Sequence, residues 1–128
     1  MSKYRVLKTT FQNREVLLNV LSTLYHGYIK EGFRVNWSSQ IADIVVSHHG
    51  IGCRYDDLAF VKQPDGSFTA MVSDHDPVDA AKAQDALNKV SMAYARRMTY
   101  MQAEALGYQV YEEVNTEGEI VLTLSRAY

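Results

Sequence analysis

The chain has a single cysteine, Cys53, in 128 residues. That excludes an internal disulfide and any metal site built from several thiolates. Proline is nearly as scarce, with only Pro64 and Pro77, so no stretch reads as a proline-rich linker. Charge of one sign is also missing. Thirteen Lys and Arg against fifteen Asp and Glu leave a net charge of −2, and no overall field draws the chain to nucleic acid or to an anionic membrane. No apolar run approaches the ~18 residues of a membrane span. The opening MSKYRVLKTT lacks the apolar core of a signal peptide. The expectation is a cytoplasmic protein that does not enter a membrane.

What is present is ordinary for a soluble globule: 47% hydrophobic and 22% charged residues. A chain of this length buries a core without staples, and residues 1–128 are read as a single α+β domain. Nine tyrosines supply side chains that suit half-wet surfaces and interfaces.

The strongest local signal is Tyr55 to Asp76. Leu58 and Phe60 alternate with Asp57, Ala59 and Val61, and Phe68, Ala70 and Val72 alternate with Thr69, Met71 and Ser73. Period two marks strands with one buried face. Pro64-Asp65-Gly66-Ser67 between them has turn chemistry, so the segment is expected to be a β-hairpin. Before it, Lys3 to Thr10 reads as a strand. Asn13 can cap a helix whose stripe is Val16, Leu17, Val20, Leu21 and Leu24, with Gly27 at its exit. Phe33 to Trp37 and Ile41 to Ser47 read as further strands. After the hairpin, Asp76-Pro77 with Asp79 starts a second helix. It runs to about Leu106, with Leu87, Val90, Tyr94, Met98 and Met101 inward and a candidate break near Asn88. Tyr108 to Val114 and Glu119 to Ser125 then form a second hairpin across Asn115-Thr116-Glu117-Gly118. The order predicts a mainly antiparallel sheet with two helices packed on one face.

Pieces spread along most of the chain resemble a known family. They are Ala42-Asp43-Ile44-Val45-Val46, Tyr55-Asp56 leading to Pro64-Asp65-Gly66-Ser67-Phe68 and Asp74, then Tyr94-Ala95. Gly107-Tyr108 through Glu112-Glu113 and Gly118-Glu119-Ile120 follow. Their order and spacing are similar to the domain-of-unknown-function family twelve fifty-seven, which includes a plastid and cyanobacterial reading-frame protein. The chain departs from it at His75-Asp76, where the family often has a tryptophan after the aspartate, and over Phe33 to Gln40. The resemblance carries no activity. Because members often sit beside genes for an AAA+ ATPase or a ferredoxin, it implies a partner-binding role.

Several residues invite chemistry. Asp74, His75 and Asp76 are ligand types, but successive strand residues point to opposite faces, and a strand end followed by a helix cap explains them. His48 and His49 beside Gly50 and Gly52 suit a ligand-approach loop, or simply a solvated turn. Cys53 can be a nucleophile beside a histidine, or a small buried hydrophobe. Asp56 and Asp57 can be an acid–base pair, but as sequence neighbours they are expected to flank a strand and stay solvated. No metal, cofactor or catalytic residue is expected. Arg96, Arg97 and Tyr100 make a small basic-aromatic cluster on the second helix, opposed by Glu104. Met92, Tyr100 and Ala103 give that helix a second apolar edge.

Three functions remain in order of expectation. The first is a non-catalytic protein-interaction or adaptor module, a homo-oligomer or an accessory to an AAA+ ATPase, binding its partner through Met92, Arg96, Tyr100 and Ala103. The second is an enzyme or metal-binding protein using His48, His49, Asp74 and His75. The third, for which the basic charge is thin, is a nucleic-acid module using Lys3, Arg5, Arg96 and Arg97.

Overall fold

The computed structural model describes residues 4–126; Lys3, counted above with the first strand and the basic residues, lies outside them. The chain forms two compact units, Met1–Tyr94 and Ala95–Tyr128.

The first unit is built on a five-stranded sheet. Its strands are β1 (Tyr4–Lys8), β2 (Ile29–Arg34), β3 (Ile41–Val46), β4 (Leu58–Lys62) and β5 (Phe68–Ser73), in the order β1-β5-β4-β3-β2. Every neighbouring pair is antiparallel. The expected central hairpin is β4–β5, with Phe60 opposite Ala70 and Ala59 opposite Met71. Ile44 faces Phe60 and Val45 faces Ala59 across β3, so one apolar row runs along each side of the sheet.

Helix α1 (Arg14–Leu24) starts as expected: the Asn13 side chain accepts the Val16 amide at 3.1 Å. It buries Val16, Leu17, Val20 and Leu21. Helix α2 (Pro77–Ala105) begins under Asp76, whose side chain accepts the Val78 amide at 3.0 Å. Both helices pack on the sheet. Phe11 stacks 4.8 Å from Tyr94 and 6.1 Å from Phe60, and the Tyr94 hydroxyl accepts the amides of Gln12 and Asn13 at 3.1 and 3.0 Å. One aromatic of α2 thus fixes the entry to α1 with both its ring and its oxygen.

Two readings of the sequence change here. Period two in β5 predicts one buried face, yet all six of its residues are buried. The reason is the segment after β2. Phe33 and Arg34 close that strand, and residues 35–40 fold back as a loop, with the Val35 amide donating to the Gln40 carbonyl at 3.1 Å. Val35 joins Ala42, Val45, Ala59 and Met71 in a second apolar cluster, with Trp37 and Val61 packed against it. The loop roofs the sheet face opposite the helices, and the Trp37 ring lies 5.4 Å from Tyr4. The candidate break near Asn88 does not occur, and the helix runs on as its continuous apolar stripe implied. α2 is continuous, and Asn88 accepts a bond from Gln84 one turn earlier at 3.1 Å, an i,i+4 contact that supports the helix there.

The central turn closes through Gln63, whose amide donates to the Ser67 carbonyl at 2.7 Å. Asp65 accepts both the amide and the hydroxyl of Ser67, which holds its pKa below the usual aspartate range. Gly66 has φ +89° with open space where a Cβ would stand, so the cost of a side chain is backbone strain and not a clash. Gly66→Val is expected to lower stability by ~1–3 kcal/mol, read as a fall in the urea midpoint at unchanged slope. An unchanged midpoint would show that the turn has a second conformation.

The second unit contains the end of α2 and a second antiparallel hairpin. Its strands are β6 (Tyr108–Val114) and β7 (Ile120–Arg126), paired over seven positions from Tyr108↔Arg126 to Val114↔Ile120. It is a separate two-stranded sheet. Gly107, at φ +76°, ends the helix with its amide on the Glu104 carbonyl at 3.1 Å, the left-handed exit that glycine permits. In the hairpin loop the Asn115 side chain accepts the amides of Glu117 and Glu119 at 3.0 and 2.8 Å.

Candidate functional site

The residues singled out for chemistry gather in the first unit around 53–57, the segment that enters β4. Asp79 organises it. Placed in the first turn of α2, it is 2% exposed. Its carboxylate accepts the amides of Arg54 and Tyr55 at 2.8 Å each and of Asp56 at 3.1 Å. Burial pushes the Asp79 pKa up. The three amide bonds and the Lys82 charge outweigh burial and hold it below the ordinary value. A first-turn aspartate reads in sequence as helix-dipole chemistry, and nothing local reveals that it ties down a loop some 25 residues earlier.

The two aspartates of this segment are not solvated, contrary to the sequence reading. Asp56 and Asp57 are 7% and 8% exposed. Asp57 Oδ1 accepts the backbone amide of His48 at 2.9 Å and lies 2.8 Å from its ring Nδ1. A carboxylate only accepts, so Nδ1 is the ring's donor in this pair. Asn36 Oδ1 takes the Asp57 amide at 3.0 Å, and Trp37 Nε1 donates to the Asp57 carbonyl at 2.7 Å. Both residues come from the roofing loop. Asp57 is buried because it joins three segments whose polar groups would otherwise lack partners. Asp56 differs: its Oδ2 is buried without a hydrogen-bond partner, and His75 Nδ1 stands 3.9 Å away.

An imidazole oriented by a carboxylate is the geometry of a general base, but the nucleophile that the sequence offered, Cys53, is bonded elsewhere. Cys53 is buried and its thiol donates to the Asp79 carbonyl at 3.4 Å. Burial, with the Asp79 charge behind it, pushes its pKa up to about 11, the wrong direction for a reactive thiolate. The expected small buried hydrophobe describes it well. His49 is exposed and stacks 4.1 Å from His48. Asp74 is spent on Arg5 at 2.9 Å, and Asp76 on the helix cap. Among the described residues no three His, Cys, Asp or Glu side chains converge where an ion could sit.

The residues expected to bind a partner fall differently. Met92 belongs to the first unit and is 65% exposed. Arg96, Tyr100 and Ala103 belong to the second. The Arg96 guanidinium grips the Glu112 carboxylate of β6 through two nitrogens, Nη2 at 2.6 Å. This raises the Arg96 pKa and pairs its charge within the second unit. Desolvation, then Glu112, raises the Tyr100 pKa. Ala103 is 1% exposed, so it can support a surface but not form one. Sequence reasoning missed the apolar surface of the hairpin: Tyr111, Val114, Ile120, Val121 and Leu124 are 43–71% exposed. The signal was there, because β7 alternates without placing charge on either face between Ile120 and Ser125.

Residues 24–123 match the model of a family described as "Protein of unknown function (DUF1257)". The chain belongs to that family. The DUF1257 match begins at the last residue of α1 and ends inside β7. It therefore takes in the roofing loop, the 53–57 hub, Asp79 and most of the C-terminal hairpin. No curated protein and no solved structure matches the chain. Among the described residues no helix is long and apolar enough to cross a membrane.

Proposed function

We propose that this DUF1257 protein is a non-catalytic protein-interaction module whose partner is taken up by the C-terminal unit. The observation that carries the reading is the exposed apolar surface of its two-stranded sheet, Val114 at 71%, Ile120 at 48% and Leu124 at 48%. A two-stranded hairpin is marginal by itself, and exposed apolar side chains clustered on one element mark interaction sites. Arg96 and Tyr100 serve this surface from α2 by holding Glu112, and hence β6, in place. The enzyme reading, on His48, His49, Asp74 and His75, has less support: His48 is held by Asp57 and Asp74 by Arg5, and among the described residues no cluster of three ligand-type side chains forms. An accessory role to an AAA+ ATPase is the partner class that the family resemblance favours.

The test replaces Val114 with lysine and Ile120 with glutamate, opposite charges at directly paired positions. Both are exposed, so folding is expected to survive, checked by far-UV circular dichroism and the urea midpoint. Partner recovered by the tagged variant from the native host is expected to fall tenfold or more relative to wild type. Undiminished recovery with a folded variant would move the binding surface elsewhere, with Met92 the next residue to replace.

A further inference from the structure

We propose that β7 is a self-pairing edge: two copies of this chain join antiparallel through β7 into a four-stranded sheet, β6-β7-β7-β6. This rests on the reading of the C-terminal unit as the interaction surface and names its partner as a second copy.

Among the described residues the two sheets expose four edge strands, β1, β2, β6 and β7. Three carry charges along their length: Arg5 and Lys8 on β1, Lys30, Glu31 and Arg34 on β2, Glu112 and Glu113 on β6. Charged side chains are how proteins keep open edges from pairing with other chains. β7 reads Ile-Val-Leu-Thr-Leu-Ser before its terminal Arg126, six residues of high strand preference with no charge and no proline. That edge lacks the protection the other three have.

The strand is also complementary to itself. The one antiparallel register that pairs all seven residues has its two-fold axis at Thr123. It sets Thr123 against Thr123 of the second copy, Leu122 against Leu124, Val121 against Ser125 and Ile120 against Arg126. No like charges meet, threonine faces threonine, and leucine faces leucine, all favourable cross-strand pairs. Because the pairing is antiparallel and in phase, Ile120, Leu122 and Leu124 stay on one face in both copies, so the half-exposed Leu124 and Ile120 extend one apolar face across the axis. Seven residues at about 3.4 Å each make an edge of ~24 Å. The growth stops at two copies, since the outer strand of the new sheet is β6, with Glu112 and Glu113. That is a closed two-fold interface and not an open fibre.

The test measures mass by light scattering during size exclusion of the full chain, at tens of micromolar. Wild type is expected at twice the chain mass. Thr123 is exposed on β7, so Thr123→Lys leaves the hairpin's own contacts but sets two cations together on the axis. It is expected at the single-chain mass, with the dimer dissociation constant raised roughly tenfold or more. Thr123→Glu should behave the same way, and an equimolar mixture of the two variants should recover the double mass, a rescue that an unfolded variant cannot give. As a register check, Thr123→Cys should form a disulfide-linked dimer on mild oxidation while Gln109→Cys on β6 does not, with Cys53 buried and out of reach. A monomeric wild type, a ladder of higher species, or a Thr123→Lys variant that stays dimeric would overturn the proposal. If wild type is monomeric but the Val114 and Ile120 double variant still loses a captured partner, self-pairing is wrong and the interaction reading stands. If neither effect is seen, both are wrong.

Discussion

Asp79→Ala is expected to cost about 3–5 kcal/mol, the sum for several buried donors left unmet. The alanine leaves three amides, those of Arg54, Tyr55 and Asp56, without their acceptor in a place that is 2% exposed. Each unsatisfied buried donor costs ~1–3 kcal/mol, and water entering the vacated space recovers part of the sum. Equilibrium urea unfolding reads the change. A loss under ~1 kcal/mol would mean that the 53–57 segment finds other partners and that Asp79 is not its anchor. Asp79→Asn keeps one carbonyl acceptor and is expected to lose less than the alanine. The asparagine also isolates the charge. The folded Asp79 pKa lies below the ordinary 3.8, so its contribution is fully present above that value and disappears as pH falls through the lower, folded one. Wild type should therefore lose more stability than Asp79→Asn on acidification from just above 3.8 downward. Parallel pH curves would sink the assignment.

Trp37→Ala is expected to cost ~2–4 kcal/mol, somewhat under the range for a fully buried Trp, because Trp37 is half-buried. Three losses combine: packing against the Val35, Val45, Ala59 and Met71 cluster, the ring contact with Tyr4, and the Nε1 bond to the Asp57 carbonyl. Trp37→Phe keeps most of the packing and removes the bond. It should cost ~1 kcal/mol, the net worth of one hydrogen bond. If both variants lose the same amount, the indole N–H is what secures the loop; if neither loses any, residues 35–40 do not roof the sheet. The same measurement bears on the hub, because Asp57 also holds His48 and a loosened Trp37 frees its carbonyl.

The two units differ in how much of them the sequence disclosed. Period two over Leu58–Val61 and Phe68–Ser73, together with the turn residues between them, was enough to place β4 and β5, because strand alternation and turn chemistry are local properties. Helix caps at Asn13 and Asp76 were legible for the same reason: each is a side chain bonding to an amide two or three residues on. The second hairpin was legible too, though not that it would stand as its own two-stranded sheet. The roof over the sheet was not legible. Phe33 to Trp37 has the composition of a strand, and only the presence of an uncovered apolar row, Val45, Ala59 and Met71, draws it into a loop across that row.

The candidate site shows the same division more sharply. Asp56 and Asp57, as adjacent acids, read as solvated. They are buried because His48, Asn36 with Trp37, and Asp79 arrive from three separate segments, at separations of 9 to 23 residues, to meet the Asp57 carboxylate and the backbone of residues 56 and 57. By itself the sequence determined the α+β class, the hairpins, the helix starts and the burial of a lone cysteine, all of which follow from periodicity, capping and composition within a few residues. The tertiary structure decided which carboxylates are buried, which charge Arg96 meets and that β6 and β7 form a sheet of their own. Those depend on the distance between groups far apart in the chain, and burial and pairing energies exist only once folding has set that distance.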